Sequence, residues 1–311
     1  MSRWQWSSPT AAAAYDARDG AAGDVLGNEL YLYGGWNPGV FPAPGFTCSE
    51  VWKSSDDGAT WNLLTAAPGW ASRHSFGHCE FDSKLWVIGG DNNSGFYHTD
   101  VWSSPDGSSW TQVTADWGLG DRCLHMVVPH NGAMYLLGGQ TIPDIVPGPM
   151  VTYSDVWRSV DGAAWTKIAD GCGWGPRGSI FSAVSWRGYM WVACGGIYPS
   201  AVGAQPAVEY CDVWRSPDGI TWELVCVSSV PPRRYQCLAV FDDELWILGG
   251  YANGLNRNDV WHTSDGVIWE RLYDSPFAES HASTAWSTSN GLYFACGINL
   301  GKNVYKLSVV P

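Results

Sequence analysis

The sequence predicts an all-β fold, a six-bladed β-propeller with four antiparallel strands in each blade. Two observations indicate it. One motif occurs five times: an acidic residue, Val and Trp, followed by an Asp-Gly turn and a second Trp. The copies are Glu50 to Trp61, Asp100 to Trp110, Asp155 to Trp165, Asp212 to Trp222 and Asp259 to Trp269. Each copy follows an apolar run that ends in a glycine pair. Units rich in strand formers and turn glycines, at a spacing of about 50 residues, are typical of a radial all-β array.

Each unit divides into four short strands, A to D, separated by turn residues. The second unit gives the predicted bounds: Arg73 to Phe81 for strand A, Leu85 to Ile88 for B, Asp100 to Ser103 for C and Trp110 to Val113 for D. The loop between strands B and C is long in units one, three and four. Insertions of this kind usually carry a binding function.

The two ends of the chain predict how the ring closes. The sixth unit is degraded, with Leu292 to Gly297 and then Asn303 to Tyr305, and it lacks the hairpin and strand D. Trp4 to Ser7 resembles the start of the strands D elsewhere. An N-terminal strand that completes the last blade would remove an exposed sheet edge. We therefore predict a single domain over 1–311 with blades at 11–65, 66–114, 115–169, 170–227, 228–273, and 274–308 plus 2–7.

Composition excludes several classes of partner. The net charge is -13, the isoelectric point is near 4.7 and no lysine or arginine cluster occurs, so nucleic acid and anionic membrane surfaces would be repelled. No apolar leader or membrane-length apolar run is present, which predicts a soluble, cytoplasmic protein. The nine cysteines show no CxxC spacing. Reduced, buried thiols are expected, with one or two disulfides as the alternative.

The repeat carries a family resemblance over essentially the whole chain. A glycine pair after an apolar strand, then Val-Trp and a final Trp, resembles the kelch repeat, and six copies resemble the propeller of the galactose-oxidase type. Ser54 to Trp61 also resembles the Asp-box of sialidases, although the other four copies are one residue shorter. In both families this hairpin is structural, and the resemblance implies the same here.

Five blades carry an arginine at the start of strand A and an acid just before Val-Trp. The arginines are Arg18, Arg73, Arg122, Arg177 and Arg233, and the acids are Glu50, Asp100, Asp155, Asp212 and Asp259. Blade six has Ser280 and Asn303 at these positions. Loss of both charges together predicts structural ion pairs within each blade. An anion site like the arginine cluster of sialidases is the alternative, which the lack of an Arg-Ile-Pro motif disfavours.

The kelch resemblance implies that a pocket is lined by the residues just after the strand-A arginine and just after the glycine pair. These residues are Asp19, His74, Cys123, Gly178, Arg234 and His281, and Trp36, Asp91, Gln140, Ile197 and Tyr251. They differ between blades, so repeat packing does not dictate them. Of the 21 tryptophans, ten belong to the repeat and are expected in blade cores. Trp70 and Trp174 precede strand A, where either packing between blades or ligand contact is possible.

We therefore predict that the protein binds a small polar ligand, a carbohydrate rather than a peptide, without a metal or cofactor. The expected contacts are Trp36, Trp70, His74, Asp91, Cys123, Gln140, Trp174, Arg234, Tyr251 and His281. One alternative is acid-base catalysis by His74, His281 and Asp91 on a sugar, as in the sialic-acid mutarotases, which this chain resembles in repeat type and size. A Cys123 nucleophile with His74 as its base is a further alternative. A peptide-docking adaptor, or a protein partner on the long B-C loops, is the third class.

Overall fold

A computed structural model describes residues 3–179, 181–299 and 301–310. Six four-stranded antiparallel sheets form the blades of a β-propeller, and two small hairpins decorate it. Blade 1 contains β2 (Ala22–Leu26), β3 (Glu29–Tyr33), β4 (Val51–Ser54) and β5 (Asn62–Thr65). Blade 2 contains β6 (Gly77–Phe81), β7 (Lys84–Ile88), β8 (Val101–Ser104) and β9 (Thr111–Thr114), and blade 3 contains β10 (Met126–His130), β11 (Ala133–Leu137), β12 (Val156–Ser159) and β13 (Thr166–Ala169).

The remaining blades follow the same order. Blade 4 contains β14 (Ala183–Trp186), β15 (Tyr189–Ala193), β18 (Asp212–Ser216) and β19 (Glu223–Val227), with the hairpin β16 (Gly196–Ile197) and β17 (Val208–Glu209) in its B-C loop. Blade 5 contains β20 (Cys237–Phe241), β21 (Glu244–Leu248), β24 (Val260–Thr263) and β25 (Glu270–Leu272), with the hairpin β22 (Tyr251–Ala252) and β23 (Leu255–Asn256). Blade 6 contains β26 (Thr284–Thr288), β27 (Gly291–Ala295) and β28 (Val304–Val309), and β1 (Trp4–Thr10) completes it.

The N-terminal strand closes the ring, as the sequence predicts. β1 pairs antiparallel with β28, with Trp4 opposite Val309 and Trp6 opposite Leu307. The Trp4 ring lies edge-on to Trp246 at 4.8 Å between ring centroids, and the Trp6 ring lies 5.6 Å from Phe277. One strand therefore joins the first residues of the chain to blades 5 and 6.

The described residues form seven hydrophobic clusters, of which six lie between neighbouring blades, one for each pair. The seventh contains Cys123, Leu124, Ile142, Tyr235 and Ala282 from several blades. Trp70 packs in the cluster between blades 1 and 2, and Trp174 in the cluster between blades 3 and 4. Their rings contact Trp110 and Trp222 at 5.7 Å. Both tryptophans therefore pack between blades, which is one of the two possibilities that the sequence leaves open.

The repeated Asp-Gly hairpin is a structural element. The Asp161 side chain accepts hydrogen bonds from the backbone N–H groups of Ala163 and Ala164, and the Ser159 hydroxyl accepts one from Gly162 N–H. Gly162 has φ of +73°, and a Cβ there would meet the Trp86 ring of the preceding blade at 2.2 Å. Only glycine therefore combines this turn with such close contact between blades.

Four of the five arginine-acid pairs are bidentate, and the Arg18–Glu50 pair has one contact of 2.7 Å. In blade 3, Arg122 donates to the two Asp155 oxygens at 2.8 and 3.1 Å. The carboxylate also accepts from Trp157 Nε1 at 2.7 Å, and Arg122 donates to the Gly138 carbonyl at 3.1 Å. Each pair thus ties the end of the D-A loop to the start of strand C and, through the arginine, to the carbonyl of the residue directly after strand B, which explains why these residues recur.

The arginine itself lies before strand A. The prediction that the strand begins at Arg73 is wrong, because β6 begins at Gly77. Ser75 between them has φ of +54°, a left-handed conformation that no strand residue adopts. The described residues contain no helix, and so none that is long and apolar enough to span a membrane. All nine cysteines are free, and seven of them are buried.

Candidate functional site

The two sequence positions predicted to line a pocket are paired with each other by backbone hydrogen bonds. Asp19 and Trp36 exchange two such bonds of 3.0 and 2.9 Å, and His74 and Asp91 exchange two of 2.9 and 3.2 Å. Cys123 pairs with Gln140, and Arg234 with Tyr251, in the same way. These short bridges tie the last residues of the D-A loops to the first residues of the B-C loops at one end of the central channel.

Blade 4 departs from the predicted alignment by one residue. Its equivalent of Asp91 is Gly196, whose carbonyl accepts from Gly178 N–H at 2.7 Å, and the Ile197 prediction is therefore wrong. The shift arises because Cys194 takes the conformation of the first glycine in the pair, with φ of +57°. Its carbonyl accepts from Arg177 Nη1, as the first glycine does for Arg122.

A cavity of about 280 Å³ lies at this end of the channel. Asp19, Trp36, His74, Asp91 and His281 line it, all of them at predicted positions. Residues of the long B-C loops of blades 3 and 4 also line it, namely Ile142, Ile145 and Tyr198, together with Asn93 and Ile298 from the loops of blades 2 and 6. The wall is therefore polar on the side of blades 1 and 2 and largely apolar on the side of blade 3.

A second ring of lining residues was not predicted. These residues lie two positions after the arginine position of each repeat, which Ser280 occupies in blade 6. Gly20, Ser75, Leu124, Tyr235 and Ala282 line the cavity. All five have φ between +48° and +58°. Like the predicted positions, they differ from blade to blade, and this variation is the signal that could have identified them.

Hydrogen bonds connect this second ring around the channel. Backbone bonds of 2.8 to 3.3 Å run from Gly20 to Ala282, from Ser75 to Gly20, from Leu124 to Ser75, from Ser179 to Leu124 and from Ala282 to Tyr235. Tyr235 and Ser179 are connected through a side chain instead, since the Ser179 hydroxyl accepts a hydrogen bond of 3.4 Å from Tyr235 N–H. The left-handed backbone turns each N–H and C=O toward the neighbouring blade. A non-glycine residue in this conformation costs roughly 1–2 kcal/mol, so the ring stores strain where the cavity is built.

Asp19, His74 and Asp91 form an ionisable cluster in the polar wall. His74 Nδ1 lies 3.0 Å from Asp91 Oδ1, which also accepts from Asn93 N–H at 2.7 Å. Burial raises the pKa of Asp19 to about 6, and the Asp91 charge adds to this effect while His74 opposes it. Burial lowers the pKa of His74, but the nearby charges of Asp91 and, to a smaller extent, Asp19 raise it. Together the two carboxylates outweigh burial, so the pKa of His74 lies above its ordinary value. The shifts of Asp19 and His74 therefore both favour the protonated form.

His281 lies on another part of the wall and has a different state. Its Nδ1 lies 2.6 Å from Asn256 Oδ1. Burial, with the Arg234 charge, lowers the pKa of His281 to about 4. The ring is therefore neutral at pH 7, and because the amide oxygen can only accept, the proton is on Nδ1 and Nε2 is an acceptor.

Six of the ten predicted contact residues do not line the cavity, and four of these are Gln140, Cys123, Trp70 and Trp174. The amide of Gln140 pairs with the backbone of Tyr198, accepting from its N–H at 2.7 Å and donating to its C=O at 3.1 Å. Gln140 thus positions a lining residue. Cys123 is fully buried, and burial, with Asp91, raises the pKa of its thiol well above the ordinary value. A thiol in that state is a poor nucleophile. Trp70 and Trp174 pack between blades, as described above.

Arg234 and Tyr251 lie beside the cavity and line a separate pocket. Among the described residues, no three His, Cys, Asp or Glu side chains are grouped so that they could hold a metal ion. Five buried polar atoms of residues in the cavity wall have no hydrogen-bond partner in the protein, namely Asp19 Oδ1, Trp36 Nε1, His74 Nδ1, Asp91 Oδ2 and Tyr235 OH. An unsatisfied buried polar group is costly, so these atoms indicate a position where a ligand would form hydrogen bonds.

No protein-family model matches the chain, and a search of curated proteins found no similar sequence.

Asp19 predicts a pH dependence of stability that can be measured. A carboxyl whose pKa rises on folding stabilises the protein when protonated, so this contribution is lost as the pH increases from about 4 to about 6. We expect Asp19→Asn to lack this loss, and its stability relative to wild type to rise over the same interval by roughly 2–3 kcal/mol. Chemical denaturation at a series of pH values measures it. Parallel curves for the two proteins would contradict the pKa shift.

Proposed function

We propose that this protein binds a small polar ligand, most simply a monosaccharide-sized carbohydrate, in the cavity at the loop end of the channel. The observation that carries the proposal is the combination of unpartnered buried donors and an acceptor with an apolar wall. Trp36 Nε1 and Tyr235 OH can donate and Asp19 can accept, while Leu124, Ile142 and Ile145 are apolar. A sugar offers both hydroxyl groups and C–H faces, and needs both kinds of surface.

The size of the cavity supports a small ligand. A volume of about 280 Å³ lies just below the usual range for ligand pockets, about 300–1,000 Å³. The resemblance of the repeat to the kelch and galactose-oxidase type adds to the proposal, because in such propellers the residues after the strand-A arginine and after the glycine pair commonly line the pocket.

We expect Trp36→Ala to weaken saccharide binding by about tenfold or more, because it removes both a ring surface and a buried donor. A panel of mono- and disaccharides is screened by ligand-observed NMR, and the hits are titrated by calorimetry. Tyr273→Ala is the matched control, since Tyr273 is an aromatic residue that is 69% exposed and remote from the cavity lining. Failure of every saccharide to bind would contradict the proposal, as would equal affinities of Trp36→Ala and wild type.

A second candidate function is acid-base catalysis on the bound sugar, such as a mutarotase or isomerase. The specific observation that favours it is the contact of His74 with Asp91 beside Asp19, since a carboxyl with a pKa of about 6 next to a histidine whose pKa is raised is suited to accept and return protons. His74, His281 and Asp91 were the predicted catalytic residues, and a neutral His281 would act as an acceptor. The NMR spectra of the same titrations report the interconversion of sugar anomers. Catalysis requires that Asp19→Asn slow it while the ligand still binds.

A further inference from the structure

Arg234 is a buried cation without an anionic partner. Six arginines are buried in the described part of the chain, and five of them are the ion-paired residues of the repeat. Arg234 is only 5% exposed, yet no carboxylate of the described residues lies within 4 Å of its guanidinium. An unpaired charge removed from water is strongly unfavourable unless something compensates it. The packing of the fold therefore does not by itself account for a positive charge at Arg234.

The side chain is held in a fixed position. Backbone bonds to Tyr251 of 3.0 and 2.8 Å fix the main chain of Arg234, and Nη1 donates to the Ile197 carbonyl at 2.8 Å. The guanidinium carbon lies 5.2 to 5.9 Å from the ring centroids of Tyr251, Tyr235 and Tyr198. The buried Nε has no partner, and Nη2 donates no hydrogen bond to the protein. One edge of the guanidinium is thus left without acceptors.

This arginine lines a shallow pocket of about 390 Å³ beside the main cavity. Glu209, Tyr251 and Asn253 line the same pocket, together with Ala207 and Gly254. Tyr251 and Tyr235 separate the pocket from His281, with ring centroids 5.5 and 5.7 Å from the imidazole. Glu209 is bound to the backbone N–H of Asn253 at 3.0 Å. The pocket therefore presents one cation and, more than 4 Å away, one carboxylate.

We propose that this pocket is an anion subsite in which Arg234 binds the carboxylate group of an organic monoanion. The planar guanidinium fork matches the geometry of a carboxylate. A single positive charge that faces Glu209, in a protein of net charge -13, disfavours a dianion such as sulfate or phosphate. The ring of Tyr251, which lines the same pocket, suits the apolar carbon skeleton of such a ligand. The subsite does not depend on the proposed carbohydrate binding in the neighbouring cavity.

The probes are acetate, propionate and glucuronate, titrated into 15N-labelled protein at constant ionic strength, with sulfate as the dianionic comparison. We expect saturable shifts of the Arg234 Nε–Hε signal with the carboxylates, and roughly tenfold weaker binding in Arg234→Gln. Glu209→Gln is expected to bind carboxylates more tightly, because it removes a repulsive charge. Arg271→Gln is the control, an arginine of β25 that is exposed and outside the pocket. Shifts as large with sulfate, or unchanged affinity in Arg234→Gln, would overturn the proposal.

Thermal stability distinguishes a ligand-binding arginine from a structural one. We expect the Tm of Arg234→Gln to equal or exceed that of wild type, because an uncompensated buried charge is removed. Arg233→Gln, at the adjacent residue, removes one partner of the pair with Asp259 and is expected to melt at a clearly lower temperature. If Arg234→Gln melts as low as Arg233→Gln, or if Glu209→Gln does, Arg234 belongs to the scaffold and the proposal is wrong.

Discussion

Asp155→Ala is expected to lower the free energy of unfolding by about 3–5 kcal/mol, the usual cost of removing one partner of a buried ion pair. The side chains of Arg122 and Asp155 are 1% and 8% exposed, which makes this the most buried of the five pairs. The variant leaves the Arg122 charge without a counter-ion. It also leaves Trp157 Nε1 without its acceptor. Equilibrium denaturation by urea measures the loss.

Blade 6 provides the matched control for this experiment. It has Ser280 and Asn303 in place of the arginine and the acid, and its two substitutes bond locally, Ser280 accepting from Ser283 and Asn303 donating to Tyr305. The double variant Arg122→Ser with Asp155→Asn copies this blade. We expect it to be less destabilised than Asp155→Ala, although it changes two residues, because it leaves no unpaired charge. A double variant that is less stable than Asp155→Ala would show that charge pairing is not what holds the blade.

Deletion of residues 1–10 is expected to destabilise the protein by more than about 5 kcal/mol and to cause self-association. The deletion removes β1, and with it the contacts of Trp4 with Trp246 and of Trp6 with Phe277. Loss of a fully buried tryptophan costs about 3–5 kcal/mol, and the partly buried Trp4 and Trp6 each contribute a share of that amount. It also exposes the unpaired backbone of β28, a template for association with another chain.

Thermal melting and size-exclusion chromatography with light scattering test this deletion. Gln5→Ala is the control, because Gln5 lies in the same strand with its side chain exposed, and such surface changes are usually within about 0.5 kcal/mol. If the shortened chain remains monomeric and melts within a few degrees of wild type, the closing strand does not hold the ring together.

Much of the fold could be predicted from the sequence, because the residues that the blade structure requires recur at the same positions in five repeats. Trp4 and Trp6 could be assigned to blade 6 since that blade lacks a strand D, and β1 confirms the assignment. The pairing of arginine with acid followed from the joint loss at Ser280 and Asn303. The start of strand A could not be predicted, because the left-handed turn at Ser75 depends on a bond to the neighbouring blade that no local pattern displays.

The site was harder to predict, since variation between repeats shows where packing is relaxed but not what each side chain contacts. Trp36, His74 and Asp91 do line the cavity. Gln140 stands at an equivalent position, yet its amide is taken up by the backbone of Tyr198, 58 residues away. Tyr235 was missed because it lies one residue beyond the position that the family resemblance marks. Side-chain contacts between different blades therefore could not be predicted from the sequence.

The ring of hydrogen bonds around the channel has a consequence for how such a protein can diversify. The bonds join main-chain atoms in five of the six steps, so they persist when the side chains at those positions are exchanged. Contact between blades is thereby made by main-chain atoms, while the side chains of the same residues line the proposed binding cavity. Substitution of a few cavity-lining side chains, in evolution or in the laboratory, can therefore change which ligand fits the proposed site. The ring of backbone hydrogen bonds around the channel is retained in such variants.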